Sequence, residues 1–226
     1  TVEHLHHHPD KDILGAGFSE KKLQRLREAA EKEAPRNFTT ASSTLDHRRH
    51  LIRITTGCAG LDTLLAGGFE TGSITEIYGE FNTGKTQICH NLCVSVQLPR
   101  DLGGGEARAL YIDTEGTFRP ERISQIAAAM GIDPEDCLNN IDVARALSSD
   151  HQVDLLKKAA AMMVESRYAL LVVDSVTSLF RTDYTGRGSL ADRQIQLGKF
   201  MRQLHVMSQT FQVAVVITNQ VVSDIA

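Results

Sequence analysis

The chain has 226 residues, of which 42% are hydrophobic and 23% charged, and its formal net charge is −4 at pH 7. This length is sufficient for one substantial domain, and no stretch approaches the ~20 consecutive apolar residues of a membrane span. The negative net charge excludes the globally basic surface of a general nucleic-acid binder, so any contact with nucleic acid must be local.

Residues 1–33 carry only helical patterning. Apolar side chains recur at helical spacing in Lys21–Lys32, behind Ser19 as a possible N-cap. The run His4–His8 is compatible with metal chelation, but a solvated polar stretch is the simpler interpretation. The N-terminus has no basic stretch followed by an apolar signal core, which favours an intracellular protein.

Residues 34–50 differ in composition from residues 1–33. The stretch Ala34–Thr44 (APRNFTTASST) is rich in small and polar residues and contains one aromatic, Phe38. This composition is typical of a linker.

From residue 51 onward, strand-like and helix-like periods alternate. The predicted strands are Ser73–Tyr78, Ala109–Ile112, Leu170–Val173 and Val213–Thr218. The predicted helices are Lys85–Gln97, Pro120–Met130, Gln152–Ser166 and Leu190–Gln209. Continuous apolar strands separated by helices predict an α/β fold with a parallel central sheet flanked by helices. Gly103–Gly105 is interpreted as a surface turn.

The stretch GEFNTGKT, Gly79–Thr86, follows the first of these strands and precedes a helix. It matches the pattern GxxxxGK[ST] in the structural context that this pattern requires. Backbone N–H groups and the helix N-terminus would surround phosphates, Lys85 would contact the β- and γ-phosphates, and Thr86 would offer its hydroxyl to Mg²⁺. A flexible surface loop is the alternative.

Acidic and amide side chains follow three of the predicted strands. Asp174 ends LLVVDS, where a carboxylate is placed to hold the Mg²⁺ shell. Asp113 and Glu115 follow ALYI, and Glu115 is the candidate base for the attacking water because it lies past the strand end. Gln220 ends VVITNQ and could sense the γ-phosphate. The acids could instead be a strand-ending cap and solvated turn residues.

The segment Arg181–Arg202 combines a glycine-containing loop with the start of a cationic helix. Tyr184, Arg187 and Arg193 offer an aromatic ring beside cations, which suits single-stranded nucleic acid. An ordinary solvated loop fits this pattern equally well. The four cysteines form neither a CxxC pair nor a zinc spacing, so we expect reduced, buried thiols.

Together these stretches resemble the RecA/RadA recombinase superfamily, in particular the eukaryotic and archaeal DNA strand-exchange recombinases. The stretches that carry the resemblance are ITTGCAGLDTLLAGG, GEFNTGKTQICH, YIDTEGTFRPER, LLVVDSVTSLFRTDYTGRG and VAVVITNQVV. The resemblance implies a P-loop NTPase core of the RecA type over residues 51–226, truncated at its C-terminus. It also implies a partial helical DNA-binding domain over residues 1–33.

The resemblance assigns roles to individual positions. It implies a DNA-dependent ATPase that uses ATP and Mg²⁺, with ATP held between protomers. The expected site residues are Glu115, Lys85 and Gln220 for catalysis, Thr86 and Asp174 for the metal, Tyr184, Arg187 and Arg193 for DNA, and Gly79, Glu80, Phe81, Asn82, Thr83, Gly84, Lys85, Thr86, Gln87 and Arg122 for the nucleotide. Asn82 replaces the Arg that is common inside this P-loop.

The resemblance also implies a role for the linker. FTTA, Phe38–Ala41, matches a polymerisation motif whose Phe and Ala enter a pocket on the next protomer. The expected pocket residues are Ala144, Leu155, Ala159 and Met162, with Asp142 departing from the usual small apolar residue. Head-to-tail docking of this kind gives a helical filament. The implied partners are single- and double-stranded DNA, further copies of the chain and mediators carrying Phe-x-x-Ala motifs, with no membrane contact. The expected location is nuclear in a eukaryote and otherwise cytoplasmic.

Two other functions are compatible with the same residues. One is a recombinase paralogue or helicase-like motor of the same superfamily, which would bind ATP without forming a continuous filament on DNA. The other is a module that binds Phe-x-x-Ala segments and in which ATP is only structural.

Overall fold

The computed structural model describes residues 19–33, 38–186 and 188–221. The chain divides into two compact units, Thr1–His50 and Leu51–Ala226. The run His4–His8 lies outside the described residues.

The described part of the first unit contains two helices, α1 (Glu20–Glu33) and α2 (Ala41–Arg48). Helix α2 lies inside the stretch whose composition is typical of a linker, and this helix was not predicted from the sequence. The helix begins because the Thr40 hydroxyl accepts a hydrogen bond from the N–H of Ser43 at 3.1 Å, which satisfies one free donor of the first turn. Phe38 lies in the non-helical residues before this cap, and its side chain is fully exposed.

The second unit is built from seven strands and seven α-helices in its described residues. The strands are β1 (Arg53–Ile54), β2 (Phe69–Glu70), β3 (Ile74–Gly79), β4 (Arg108–Asp113), β5 (Ile141–Arg145), β6 (Tyr168–Asp174) and β7 (Ala214–Gln220). The helices are α3 (Ala59–Leu64), α4 (Lys85–Ser95), α5 (Pro120–Ala129), α6 (Pro134–Asn139), α7 (Ser149–Glu165), α8 (Ser178–Asp183) and α9 (Leu190–Phe211).

Five strands form one parallel sheet in the order β3-β7-β6-β4-β5, and β1 and β2 form a small antiparallel pair. In the register of the large sheet, Asp113 at the end of β4 lies opposite Asp174 at the end of β6. Gly79 at the end of β3 lies opposite Gln220 at the end of β7. The carboxyl ends of the strands therefore bring the candidate site residues to one edge of the sheet.

Alternate residues of the central strands enter two separate hydrophobic cores. Ala109 and Tyr111 pack with helices α4, α5 and α6, whereas Leu110 and Ile112 pack with helices α7 and α9. Because successive side chains of a strand point to opposite faces, a run that is apolar at every position must be covered on both sides. The predicted α/β architecture is confirmed.

The four predicted strands are present with small shifts of their ends, but β5 was not predicted. Its sequence, IDVAR, contains two charged residues, and it lies at the edge of the sheet with only Ile141 buried.

The glycine triplet is also corrected. Gly103 turns with φ 77°, but Gly104 and Gly105 are buried, and a Cβ on Gly104 would lie 1.9 Å from the carbonyl oxygen of Leu98. This part of the triplet is a close backbone approach and not a surface turn.

Candidate nucleotide-binding site

The loop between β3 and α4 has the geometry expected of a phosphate-binding loop. Gly84 is the N-cap of α4 and has φ 94°, a left-handed conformation that favours glycine. The ammonium group of Lys85 donates hydrogen bonds to the carbonyl oxygens of Gly79 at 3.0 Å and Glu80 at 2.6 Å. These bonds hold a positive charge at the mouth of the loop, beside the free N–H groups of the helix N-terminus.

Asn82 also has a left-handed backbone, with φ 60°. Asparagine adopts this conformation more readily than other residues with a Cβ atom. Its presence where arginine is common in the related P-loops is therefore compatible with the loop geometry, although it brings no charge.

Asp174 is buried at the end of β6 and accepts hydrogen bonds from three hydroxyl groups. The hydroxyls of Thr86 and Tyr111 each lie 2.7 Å from Oδ2, and the hydroxyl of Thr218 donates to Oδ1. Burial raises the pKa of Tyr111, and Cys89 and Asp174 nearby raise it further, so the phenol stays protonated and remains a donor. The carboxylate plane of Asp174 is therefore fixed from three directions.

Asp113 lies at the equivalent position of the neighbouring strand, but its carboxylate organises a turn. Its Oδ1 accepts from the N–H groups of Glu115 at 3.0 Å and Gly116 at 2.7 Å, and from a guanidinium nitrogen of Arg145 at 3.0 Å. Its Oδ2 accepts from the N–H of Phe118 at 3.1 Å. With both oxygens occupied by these donors, Asp113 shapes the segment that carries Glu115.

Glu115 is exposed and faces the same cavity as the phosphate-binding loop. This cavity has a volume of about 360 Å³. Its lining residues are Phe81, Asn82, Thr83, Gly84, Lys85, Thr86, Gln87, Glu115, Thr117, Arg119, Asp174, Ser175, Thr218 and Gln220. Ten of these residues were predicted from the sequence. They lie together because the parallel sheet places the strand ends and the loop at the same edge.

Four lining residues were missed: Thr117, Arg119, Ser175 and Thr218. Ser175 directly follows Asp174, and Thr218 precedes Gln220 by two residues on the same strand, so proximity to predicted residues was the available signal. Arg119 donates to the carbonyl oxygens of Gly116 at 2.8 Å and Phe118 at 2.9 Å, and it is a second cation in the lining of the cavity that contains Lys85.

A second cavity has a volume of about 430 Å³ and is lined by Asp113, Phe118, Pro120, Leu138, Ile141 and Val143. Its lining is mainly apolar, and its only acid, Asp113, already accepts hydrogen bonds at both oxygens. Since this lining contains no cation, the cavity lacks the groups that a triphosphate needs.

Arg122 is a further residue predicted for the nucleotide site, and it contacts Gln87, which lines the cavity. The guanidinium of Arg122 donates to the side-chain oxygen of Gln87 at 3.0 Å and to that of Gln125 at 3.1 Å. Arg122 is thus held over the first turn of α4, where the resemblance places it near the adenine.

Of the residues predicted to bind DNA, Tyr184 directly follows α8 and Arg193 lies in α9. Tyr184 packs partly against the α7–α9 core, so less of its ring is available for stacking than the sequence suggested. Arg193 lies in the first turn of α9 and is half-buried, and Arg187 lies outside the described residues. Their contact with DNA remains a prediction.

The residues predicted to form the polymerisation pocket lie on α7 and on the edge strand β5. Leu155, Ala159 and Met162 belong to the core on this side of the sheet, and Ala144 pairs in register with Ile112, which belongs to the same core. Asp142 accepts a hydrogen bond from the Tyr168 hydroxyl at 2.7 Å and pairs with Arg108 at 2.8 Å. These contacts account for an acid at a position where a small apolar residue is usual.

Other kinds of site receive no support within the described ranges. No three His, Cys, Asp or Glu side chains in that part of the chain form a cluster suited to a metal ion. None of the helices described is long and apolar enough to cross a membrane.

Comparison with known proteins agrees with this geometry. The Rad51 family model matches residues 47–226. The chain is 56% identical over its full length to a DNA repair protein RAD51 homolog B from Zea mays and 54% identical to DNA repair protein RAD51 homolog 1 from Arabidopsis thaliana. It is also 54% identical to DNA repair protein RAD51 from Saccharomyces cerevisiae. It spans 66% of the length of the two plant relatives and 56% of the yeast relative.

The match includes the phosphate-binding loop, the strand ends and the Glu115 turn, and confirms the resemblance to eukaryotic recombinases and the RecA-type core. The chain belongs to the Rad51 family.

Proposed function

We propose that the protein is an ATP-dependent DNA recombinase that forms a helical filament on single-stranded DNA. In this proposal it pairs that strand with homologous double-stranded DNA and exchanges strands during the repair of double-strand breaks. The observation that carries the proposal is the shared cavity of the phosphate-binding loop, Asp174 and Glu115. The DNA repair role named for the relatives supports the choice of DNA as partner.

The residues that line the cavity have three roles in this proposal. Lys85 and the N–H groups of the loop bind the triphosphate, and Arg119 adds a second positive charge. Glu115 orients the attacking water and takes its proton, which its exposed position past the strand end allows. Gln220 contacts the γ-phosphate and, through the end of β7, relays its presence to the DNA-binding loop. The guanidinium of Arg181 in α8 supports this route, because it donates to the carbonyl oxygen of Gln220 at 2.9 Å.

The oxygen ligands at the cavity fit a Mg²⁺ ion. The Thr86 hydroxyl and the Asp174 carboxylate are 2.7 Å apart, and oxygen ligands of this kind are those that Mg²⁺ prefers. When bound, the ion would neutralise charge on the β- and γ-phosphates.

The filament follows from two features on different units of the chain. Phe38 offers an exposed aromatic anchor, and β5 is an edge strand of the sheet that carries the expected pocket residue Ala144. Addition of the Phe38–Ala41 segment of one molecule at this edge of the next gives a heterologous contact, which propagates into a helix. The same pocket would receive Phe-x-x-Ala segments of mediators, and a nuclear location follows from this role in a eukaryotic cell.

Turnover of ATP with and without single-stranded DNA tests the proposal. We expect DNA to stimulate phosphate release, Glu115→Gln to abolish it while nucleotide still binds, and the control Glu135→Gln, an exposed acid on α6, to behave as wild type. Electron micrographs with ATP, Mg²⁺ and single-stranded DNA should contain helical filaments. Nucleotide binding without filaments would favour a paralogue or motor, and Phe-x-x-Ala binding without turnover would favour the binding module.

A further inference from the structure

Tyr111 contacts both Asp174 and the turn that carries Glu115, but it does not line the cavity. It lies on β4 two residues before Asp113, and only 1% of its surface is exposed. Its hydroxyl donates to Oδ2 of Asp174 on the neighbouring strand at 2.7 Å. A buried phenol needs a hydrogen-bond partner, and here the partner is the carboxylate expected to serve the metal.

The ring of Tyr111 makes a second contact, on the side of Glu115. Its centroid lies 4.9 Å from that of Phe118, with the ring planes at 63°, which is a favourable edge-to-face arrangement. His90 completes the cluster, with its ring 5.2 Å from Phe118 and 5.9 Å from Tyr111. Neither nitrogen of His90 has a hydrogen-bond partner among the residues described, so this side chain acts here through its packed ring.

Phe118 in turn closes the turn that carries Glu115. Its N–H donates to Oδ2 of Asp113 at 3.1 Å, at the opposite end of the segment from the Glu115 N–H, which donates to Oδ1. A shift of the Phe118 ring would therefore move the turn, whereas a loss of the Tyr111 hydroxyl would release one oxygen of Asp174.

We propose that Tyr111 is a positioning residue that fixes the metal-binding carboxylate of Asp174 relative to the turn of Glu115. The Tyr111 hydroxyl holds the carboxylate of Asp174, which would bind the metal. The Tyr111 ring packs against Phe118 in the turn that carries Glu115, which would activate the water. The inference rests on the proposed ATPase function, since it assigns its effects to nucleotide and Mg²⁺.

Tyr111→Phe separates the two effects, because it removes the hydroxyl and keeps the ring. We expect the Mg²⁺ concentration that gives half-maximal binding of a fluorescent ATP analogue to rise about tenfold, as is typical when a hydrogen bond to a metal ligand is lost. The readout is an equilibrium titration, so it does not depend on turnover.

Tyr168→Phe is the matched control. It removes a phenol–carboxylate hydrogen bond of the same length, 2.7 Å, from Tyr168 to Asp142. Tyr168 begins the strand that Asp174 ends, so roughly 20 Å separate the two sites at 3.3 Å per residue. We expect this variant to lose some thermal stability and to keep the wild-type Mg²⁺ midpoint.

Phe118→Leu tests the ring side. We expect turnover at saturating ATP and Mg²⁺ to fall at least tenfold, with the Mg²⁺ midpoint of nucleotide binding unchanged within twofold. A variant in which both quantities moved together, or in which neither moved, would contradict the division of tasks.

The outcomes separate this inference from the function on which it rests. If the wild-type protein binds no nucleotide in the presence of Mg²⁺, both proposals fail. If the wild-type protein binds and Tyr111→Phe has the same Mg²⁺ midpoint as Tyr168→Phe, the ATPase proposal stands and the role of Tyr111 is refuted.

Discussion

Replacing Asp113 with Asn tests whether this acid organises the turn of Glu115. The substitution keeps the shape of the side chain and converts one acceptor oxygen into an NH₂ donor. If the amide oxygen stays at the Oδ1 position, it keeps the N–H groups of Glu115 and Gly116. The NH₂ group then faces the N–H of Phe118, which lies 3.1 Å from Oδ2 in the wild type, so donor meets donor.

The magnitude follows from the number of bonds changed. One buried donor left without an acceptor costs about 1–3 kcal/mol. The weakened pair with Arg145 adds less than ~1 kcal/mol because the arginine side chain is 44% exposed and solvent screens it. We expect the free energy of unfolding to fall by about 2–3 kcal/mol, which lowers the melting temperature by roughly 4–12 °C for a chain of this size.

Urea unfolding followed by circular dichroism measures this difference. Asp133→Asn is the control, because only Oδ1 of Asp133 accepts hydrogen bonds from the turn that follows, the N–H groups of Glu135 and Asp136. Asn serves equally well as an N-cap, so the control should stay within ~0.5 kcal/mol of wild type. Equal stability of the two variants would refute the assignment of Asp113 as the centre of the turn.

Four further outcomes follow from the structure. Lys85→Ala removes a full charge from the phosphate-binding loop, and a half-buried ion pair is worth ~1–4 kcal/mol. We therefore expect calorimetry to show ATP binding weakened about a hundredfold. Unchanged affinity would contradict the assignment of this loop as the phosphate-binding site. Phe38→Glu should leave monomers by light scattering, and persistent assembly would exclude this anchor. Gln212 ends α9 with φ 51°, so Gln212→Gly should raise the free energy of unfolding by about 0.5–1 kcal/mol in urea titrations. Of the four cysteines, only Cys58 is exposed, and burial raises the pKa of the other three thiols. A thiol reagent should therefore modify one cysteine per native molecule. Labelling of more than one cysteine would contradict the burial of the other three.

The sequence predicted those parts of the molecule whose signals are local. The apolar runs before Gly79 and Asp174 identify strands wherever they lie in the sheet, and the phosphate-binding loop is specified by eight consecutive residues. Strand β5 was missed because an edge strand with Asp142 and Arg145 lacks such a run. Helix α2 was missed because its small polar sequence gives no amphipathic stripe and its start depends on the single cap at Thr40.

The roles of the acids depended on contacts between distant parts of the chain. Tyr111 and Asp174 are separated by 63 positions, and Thr218 and Asp174 by 44, so no local pattern indicates that their side chains meet. Glu115 was chosen as the candidate base because it lies past the strand end, but the role of Asp113 in organising the turn depends on the positions of the surrounding N–H groups.

Asp113 and Asp174 end adjacent strands in register, yet their electrical surroundings differ. A guanidinium offsets the charge of Asp113, whereas the side-chain donors around Asp174 are all uncharged alcohols or phenols. Neutral donors orient a carboxylate without adding an opposite charge, so none of the three side chains that donate to Asp174 is a counterion. Under the proposed function, these two identical side chains in neighbouring positions have opposite uses, because Asp113 is an internal counterion and Asp174 would attract a cation.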